Sequence, residues 1–312
     1  MVILITGGAG FIGSYLARKL VNETREDVIL YDLLPNLTRI NDIKDKITLI
    51  QGDILDFEKL KETVKTHKVD RIVHLAFYLP PASEQEPIKG IKINCEGTAN
   101  VFEIGKIFNL DKIVYASSIA VNGPPSYYRG KVLDEDDERK PKTLYGTAKV
   151  LNEDLATYYN EKFGLEFIGL RFGVVYGYGR ARGGGLTAAA IVDVVENPVL
   201  GKPVKVPLGD WELNVVYVKD VANALFLALQ AKKLEHKIFY ICGEVTTPRK
   251  IAEQVKKIIP EASIQVEPGN LDLYHTLFNI SRAKKELGWA PIYNIEKGVT
   301  DYITTFKRQM FK

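Results

Sequence analysis

The chain has 312 residues, of which 46% are hydrophobic and 26% charged, ordinary figures for a soluble globular protein with a large core, built as one large or two fused domains. Its 42 Lys and Arg against 39 Asp and Glu leave a formal charge of +3, spread evenly, which excludes a nucleic-acid surface and a polybasic membrane surface. The two cysteines, Cys95 and Cys242, stand far apart without metal-ligand neighbours, so neither a disulfide framework nor a metal site is expected, and a cytoplasmic setting fits.

No apolar run approaches the ~18 to 20 residues of a membrane span, and the first one is too short and wrongly flanked for a signal peptide. That first run, Val2-Ile-Leu-Ile5, reads as a buried parallel strand and leads straight into Thr6-Gly-Gly-Ala-Gly-Phe-Ile-Gly13. A helix follows, with Ile12, Leu16 and Leu20 on one face. Gly7, Gly10 and Gly13 allow a tight turn, a close backbone approach to a pyrophosphate and tight packing of the helix on the sheet, with the helix N-terminus facing the anion. A second strand, Val28-Ile-Leu-Tyr31, ends on Asp32, nineteen residues after Gly13, near the spacing of a ribose-binding acid. A carboxylate there accepts hydrogen bonds from both ribose hydroxyls and repels a 2'-phosphate, which favours NAD over NADP; Arg39 downstream keeps NADP in play.

The alternation of strand and helix continues. Residues 47–50, 71–76 and 112–116 read as strands, and 57–67 and about 91–108 as helices. This βα rhythm predicts a doubly wound parallel sheet of the α/β class, with ligands outside the carboxyl ends of the strands. Asp53, Ala76, Phe77, Ser117 and Ser118 fall at such ends. Asp53 also suits a turn or cap, and the serines suit loop hydrogen bonding. His74, inside an apolar strand, reads as a satisfied core histidine. Asn94 leaves two readings open, a cap or a bend in the helix.

Further on, Tyr145-Gly-Thr-Ala-Lys149 opens a run that reads as one helix to Phe163. Residues four apart share a face. A phenol beside an ammonium is a usable proton donor and acceptor, because the positive charge favours the phenolate and lowers the phenol's pKa.

The motifs TGGAGFIG, Asp32, GDI at 52–54, HLA at 74–76, NCEGTAN at 94–100, ASS at 116–118 and YGTAK at 145–149 stand in an order that resembles the extended short-chain dehydrogenases/reductases. Arg171-Phe-Gly-Val-Val-Tyr-Gly177 and Lys285-Glu-Leu-Gly-Trp289 extend the likeness over essentially the whole chain. The resemblance implies that Tyr145 is the acid/base, that Lys149 lowers its pKa and holds the nicotinamide ribose, and that Ser118 binds the reacting oxygen. It also implies an NAD site lined by Phe11, Ile12, Asp32, Asp53, Ile54, Leu75, Ala76 and Asn94, with Phe77 and Ser117 alongside, and pairing into a homodimer through two helices per subunit.

On this basis residues 1–176 are expected to form the NAD-binding Rossmann domain, and 177–312 mainly a smaller C-terminal substrate domain, part of which returns to the Rossmann sheet. The Gly177–Gly185 stretch carries Arg180 and Arg182, and it suits either a lid over an anionic substrate group or a solvated loop. Residues 186–195 read as a helix ended before Asn197-Pro198 and 221–231 as another. Thr247-Pro248 starts a third, and Ser281 is expected to cap a helix over 282–287. The acidic run 134–138 reads as a solvated loop.

Departures from the family pattern narrow the chemistry. Its nucleotide-sugar members usually carry Asn where this chain has Val174, and Arg-Asp where it has Leu213-Asn214, to hold a diphosphate. Ser118-Ile119-Ala120 lacks the Thr-Asp-Glu of the dehydratases. The expectation is therefore an NAD-dependent dehydrogenase of a small polar alcohol, similar to short-chain L-threonine 3-dehydrogenase or a polyhydroxy-acid dehydrogenase. A nucleotide-sugar 4-epimerase is the alternative, followed by a non-catalytic NAD sensor.

Overall fold

A computed structural model of the chain describes residues 1–181 and 185–310. Its strands are β1 (Val2–Thr6), β2 (Asp27–Asp32), β3 (Thr48–Gln51), β4 (Arg71–His74), β5 (Lys112–Ser118), β6 (Phe167–Phe172), β7 (Val174–Tyr176), β8 (Val204–Val206), β9 (Leu213–Tyr217), β10 (Ile238–Ile241), β11 (Glu244–Thr246) and β12 (Ile264–Val266). Seven of them form one sheet in the order β10-β6-β5-β4-β1-β2-β3, and each neighbouring pair runs parallel.

This sheet is apolar on both faces because helices cover both. Ile3 and Ile5 of β1 face one cluster with Leu16 and Leu20 of the Phe11–Glu23 helix and Leu225 of the Val218–Gln230 helix. Leu4, between them, faces the opposite cluster with Leu60, Val64, Val101 and Phe102, from the Phe57–His67 and Gly97–Phe108 helices. At ~25 cal/mol per Å² of apolar surface, burial on both faces is the main force holding these strands together.

Two smaller sheets follow, β11-β9-β7 and β12-β8. Within the first, β7 runs parallel to β9 and β11 antiparallel to it. β10, which follows much of the smaller-sheet region in sequence, joins the edge of the large sheet beside β6.

Several local expectations are corrected. The helix from Gly185 runs to Val199 with Pro198 inside it, where the ring forfeits the N–H bond to the carbonyl four residues back and the helix ends one residue later. Ser281 lies within its helical turn, and the capping side chain is Asn279, whose Oδ1 accepts the Ser281 N–H at 2.9 Å. The acidic run is not wholly solvated, because Glu135 is buried and accepts the Tyr240 N–H at 2.9 Å.

Candidate active site

Strand order reverses between β1 and β4, and the main cleft opens at the carboxyl ends of these strands, with a volume of about 490 Å³. Into its wall come Gly7, Gly10, Phe11, Ile12, Gly13, Asp32, Asp53, Ile54, Leu75, Ala76, Phe77, Ser117, Ser118, Tyr145, Lys149, Val174 and Arg180. Asn94 is not among them. It sits within a π turn over Lys92–Glu96, and its amide clamps the Tyr78 backbone, accepting from the N–H at 2.7 Å and donating to the carbonyl at 2.9 Å. It thus supports the cleft wall from behind. Arg182 lies outside the described residues.

The glycine turn has the shape a dinucleotide needs. Gly7 has φ +66°, and a Cβ there would stand 2.8 Å from the Ala76 nitrogen; one on Gly13 would stand 2.6 Å from the Gly8 oxygen. No side chain caps the helix that starts at Phe11, so its N-terminal dipole faces the cleft with backbone donors. Asp32 accepts N–H bonds from Ala9 and Leu34, both at 3.1 Å, which fixes its carboxylate on the rim. The chemistry of this donor set fits NAD: amides and a helix N-terminus for the pyrophosphate, a carboxylate for ribose hydroxyls. Asp53 combines a turn role with its place in the wall, accepting the Leu55 N–H at 2.9 Å.

Tyr145 and Lys149 lie in the first turns of the Leu144–Phe163 helix, capped by Thr143, whose hydroxyl accepts the Gly146 N–H. Lys149 is 1% exposed. Its ammonium donates to the Ala116 carbonyl, 3.2 Å from the Phe77 ring centre and 5.5 Å from that of Tyr145. Burial holds its pKa well below the ordinary lysine value, with Glu153 and Cys95 opposing that shift. Tyr145 differs from expectation: burial pushes its phenol well above the usual range, a hydrogen bond with Ser118 pulls it back, Tyr274 raises it, and the cation that lowers it is Arg180. The physical reason is that the Lys149 ammonium is turned toward a carbonyl and a ring face.

Ser118 also accepts the Ala120 N–H at 3.1 Å, so it serves its turn while facing Tyr145. His74 is a satisfied core histidine, bonded to Thr6 at 2.7 Å and Thr98 at 3.0 Å, and burial, with the Lys149 charge, pushes its pKa down to about 3.

Arg180 brings a guanidinium into the cleft wall. Its Nη1 donates to the Val175 carbonyl, its Nε is buried without a partner, and no carboxylate pairs with it among the described residues. Leu213 and Asn214 do not reach the cleft: Leu213 is buried, and Asn214 accepts the Gly243 N–H and donates to the Thr276 carbonyl, both at 3.0 Å. They sit on β9, whose residues are all buried.

Three features escaped sequence reasoning. Tyr274 lines the cleft, from a segment with no periodic signal. Glu84 accepts the N–H groups of Tyr145 at 2.9 Å and Leu144 at 3.1 Å, pinning the start of the Tyr145 helix from sixty-one residues away. Behind Ser117 lies a buried network: Ser117 donates to Glu153 at 2.6 Å, and Arg171 pairs with both Glu153 oxygens at 2.8 Å. Glu153 sits one turn beyond Lys149, the spacing that could have drawn attention to it. Among the described residues, Glu235, His236 and Glu286 place ligand atoms close enough for a metal ion, but Glu286 already accepts from the backbone N–H groups of Glu235 and His236 and from His236 Nδ1.

A parallel doubly wound sheet with a glycine turn and an uncapped helix at its switch point defines a dinucleotide-binding protein, and the Tyr, Lys and Ser beside it suit hydride-transfer chemistry. The chain belongs to the NAD dependent epimerase/dehydratase family, whose model matches residues 3–243, and so to the extended short-chain dehydrogenases/reductases, with NAD as cofactor. A putative UDP-glucose 4-epimerase of Methanocaldococcus jannaschii is 31% identical, covering 98% of each chain. The L-threonine dehydrogenase structure from Clostridium difficile shares 30% identity at a TM-score of 0.85, with 98% of each chain covered. A Thermus thermophilus UDP-glucose 4-epimerase in complex with NAD shares 25% at 0.87, covering 98% of this chain and 99% of that one.

Proposed function

We propose that the protein is an NAD-dependent dehydrogenase that oxidises a secondary alcohol on a small polar substrate bearing a carboxylate, of the L-threonine or polyhydroxy-acid kind. The observation that carries this reading is Arg180, a cleft guanidinium with an unpartnered Nε. Desolvated guanidinium is strongly stabilised by a carboxylate, most of all in bidentate geometry. A diphosphate would need Arg180 or Arg182 to stand in for the usual ligands, since Val174 is apolar and the Asn214 amide is already bonded to the Gly243 N–H and the Thr276 carbonyl.

NAD, when bound, takes up the hydride. Tyr145, once its own proton has left to solvent, receives the hydroxyl proton as the phenolate, with Ser118 hydrogen-bonded beside it to orient the substrate oxygen. Lys149 lies beneath the site, its amine held on the Ala116 carbonyl. Arg180 anchors the carboxylate and favours the phenolate of Tyr145. Residues 1–176 bind the cofactor in this reading, and 177–312 mainly the substrate.

Nucleotide-sugar 4-epimerisation is the second reading, favoured by the likeness to the M. jannaschii relative. Purified protein separates the two. The expected result is net NADH formation with L-threonine or a hydroxy acid, none with UDP-sugars, and a KM raised roughly tenfold or more in Arg180→Met. Tightly bound NAD with interconversion of UDP-sugars and no net NADH defeats the dehydrogenase reading; turnover of any alcohol defeats a purely NAD-sensing one.

The same reading includes a homodimer in a cytoplasmic setting. Leu151 and Tyr158, seven apart on one helix, are 51% and 54% exposed, and Ile107 and Phe163 are 45% and 42% exposed at the ends of adjacent helices. Such an apolar strip suits a second copy, and light scattering gives the mass that decides it. Both cysteines are free thiols, and no helix among the described residues is long and apolar enough to cross a membrane.

A further inference from the structure

From within, the turn that delivers Arg180 to the cleft is closed by one long backbone bond, Arg180 N–H to the Gly177 carbonyl at 3.3 Å, and by the Arg180 side chain on the Val175 carbonyl. Gly177 and Gly179 have φ +143° and +91°, conformations open mainly to glycine, and glycine adds no side-chain packing. Two further bonds hold the turn from outside. Arg39 Nη2 donates to the Gly179 carbonyl at 2.7 Å, and the Tyr15 hydroxyl donates to the Tyr178 carbonyl at 3.1 Å.

Both donors belong to the nucleotide-binding unit. Tyr15 lies in the helix that follows the glycine turn, packed edge-on against Phe11. Arg39 lies in a short 3-10 turn just past Asp32. Its own carbonyl is gripped by Arg18, which pairs with both oxygens of Asp42 at 2.7 Å. Among the described residues no carboxylate pairs with Arg39, so its charge-assisted hydrogen bond to Gly179 is its principal contact across the cleft's rim.

We infer that Arg39 is a positioning residue for substrate recognition: through the Gly179 carbonyl it holds Arg180 in the cleft, so the unit that binds the nucleotide also sets the affinity for the substrate's anionic group. The substrate half of this statement rests on the dehydrogenase reading; the clamp itself does not. A second consequence is that the guanidinium best placed after Asp32 to meet a 2'-phosphate is already committed to a carbonyl, in line with NAD as the cofactor.

Arg39→Ala and Arg39→Lys are compared with the wild type in two measurements. Hydrogen exchange of residues 175–181 is expected to speed up by about tenfold in Arg39→Ala, while the Kd for NADH stays within about twofold. Steady-state kinetics with L-threonine or the active hydroxy acid are expected to show KM raised roughly tenfold with kcat little changed, as loss of one charge-assisted hydrogen bond predicts. Arg39→Lys, which keeps a cationic donor, restores most of the KM. Unchanged exchange in Arg39→Ala overturns the inference, and so does a parallel loss of kcat, NADH binding and Tm, which marks Arg39 as merely structural. If the wild type oxidises no carboxylated alcohol but the exchange result holds, the dehydrogenase reading falls and the clamp stands.

Discussion

Tyr145→Phe is expected to lower kcat by roughly 10²- to 10⁴-fold, the usual worth of a positioned proton donor and acceptor. The substitution removes one oxygen and leaves the ring, which packs edge-on against Phe77 at 5.5 Å and 85°. Folding and NADH binding should therefore stay near wild type, and the loss should fall on the chemical step. Because burial holds the Tyr145 phenol above its ordinary pKa, the resting side chain is protonated at neutral pH. Alcohol oxidation by the wild type should speed up as pH rises above neutral, and the residual activity of the phenylalanine variant should lack that dependence. Steady-state pH profiles of both proteins make the comparison, and near-full turnover by the variant would remove Tyr145 from the mechanism.

The second large effect concerns stability. Glu153 and Arg171 are each 2% exposed and paired through two 2.8 Å hydrogen bonds. Glu153→Ala leaves a buried guanidinium without its counter-charge, a loss of about 3–5 kcal/mol, or about 5–10 °C in Tm for a chain of this size. Exchanging both for apolar residues of similar volume should cost far less, because the desolvation of both charges is then relieved. Burial alone would raise the Glu153 pKa; the hydrogen bonds and charge of Arg171, with help from Ser117 and Arg139, bring it below the ordinary carboxyl value. A folded pKa below the unfolded one means that this stabilisation is complete above the unfolded carboxyl pKa and is lost as pH falls through the folded value. Melting curves between about pH 6 and 3 should therefore lose less Tm on acidification in Glu153→Gln than in wild type. An equal slope would show that Glu153 contributes nothing to acid lability.

Local patterns revealed much of this molecule. Gly7, Gly10, Gly13 and Asp32 are legible because the turn and the strand end that follows impose fixed spacings over a short span. Tyr145 and Lys149 are legible because a helix repeats every 3.6 residues. Glu84, Tyr274 and the Arg39 clamp are not, since each meets its partner across more than sixty residues and no local periodicity records such a contact. The influence expected of Lys149 on the Tyr145 phenol is absent for a related reason. The spacing puts it on the same face as Tyr145, but only the fold shows that the Ala116 carbonyl and the Phe77 ring claim its ammonium. The acidic run misled similarly, because its charge suggested water while Glu135 turns inward to the backbone of β10.

The way the three-stranded sheet is spliced into the chain limits how the cleft can breathe. β7 follows β6 after the single residue Gly173, β11 follows β10 after Cys242 and Gly243, and β9 runs without a break into the Val218–Gln230 helix. None of these junctions is a linker that could act as a hinge. The first two join a strand of the large sheet to a strand of the small one with only one or two residues between them, too few for a free hinge. The segments expected to control access to Tyr145 lie outside the sheets: residues 77–86, anchored by Asn94 at Tyr78 and by Glu84 at the Tyr145 helix, and the turn before Arg180. The rate at which reactant and product exchange is expected to follow the anchors of those two segments instead of a bending mode of the whole molecule.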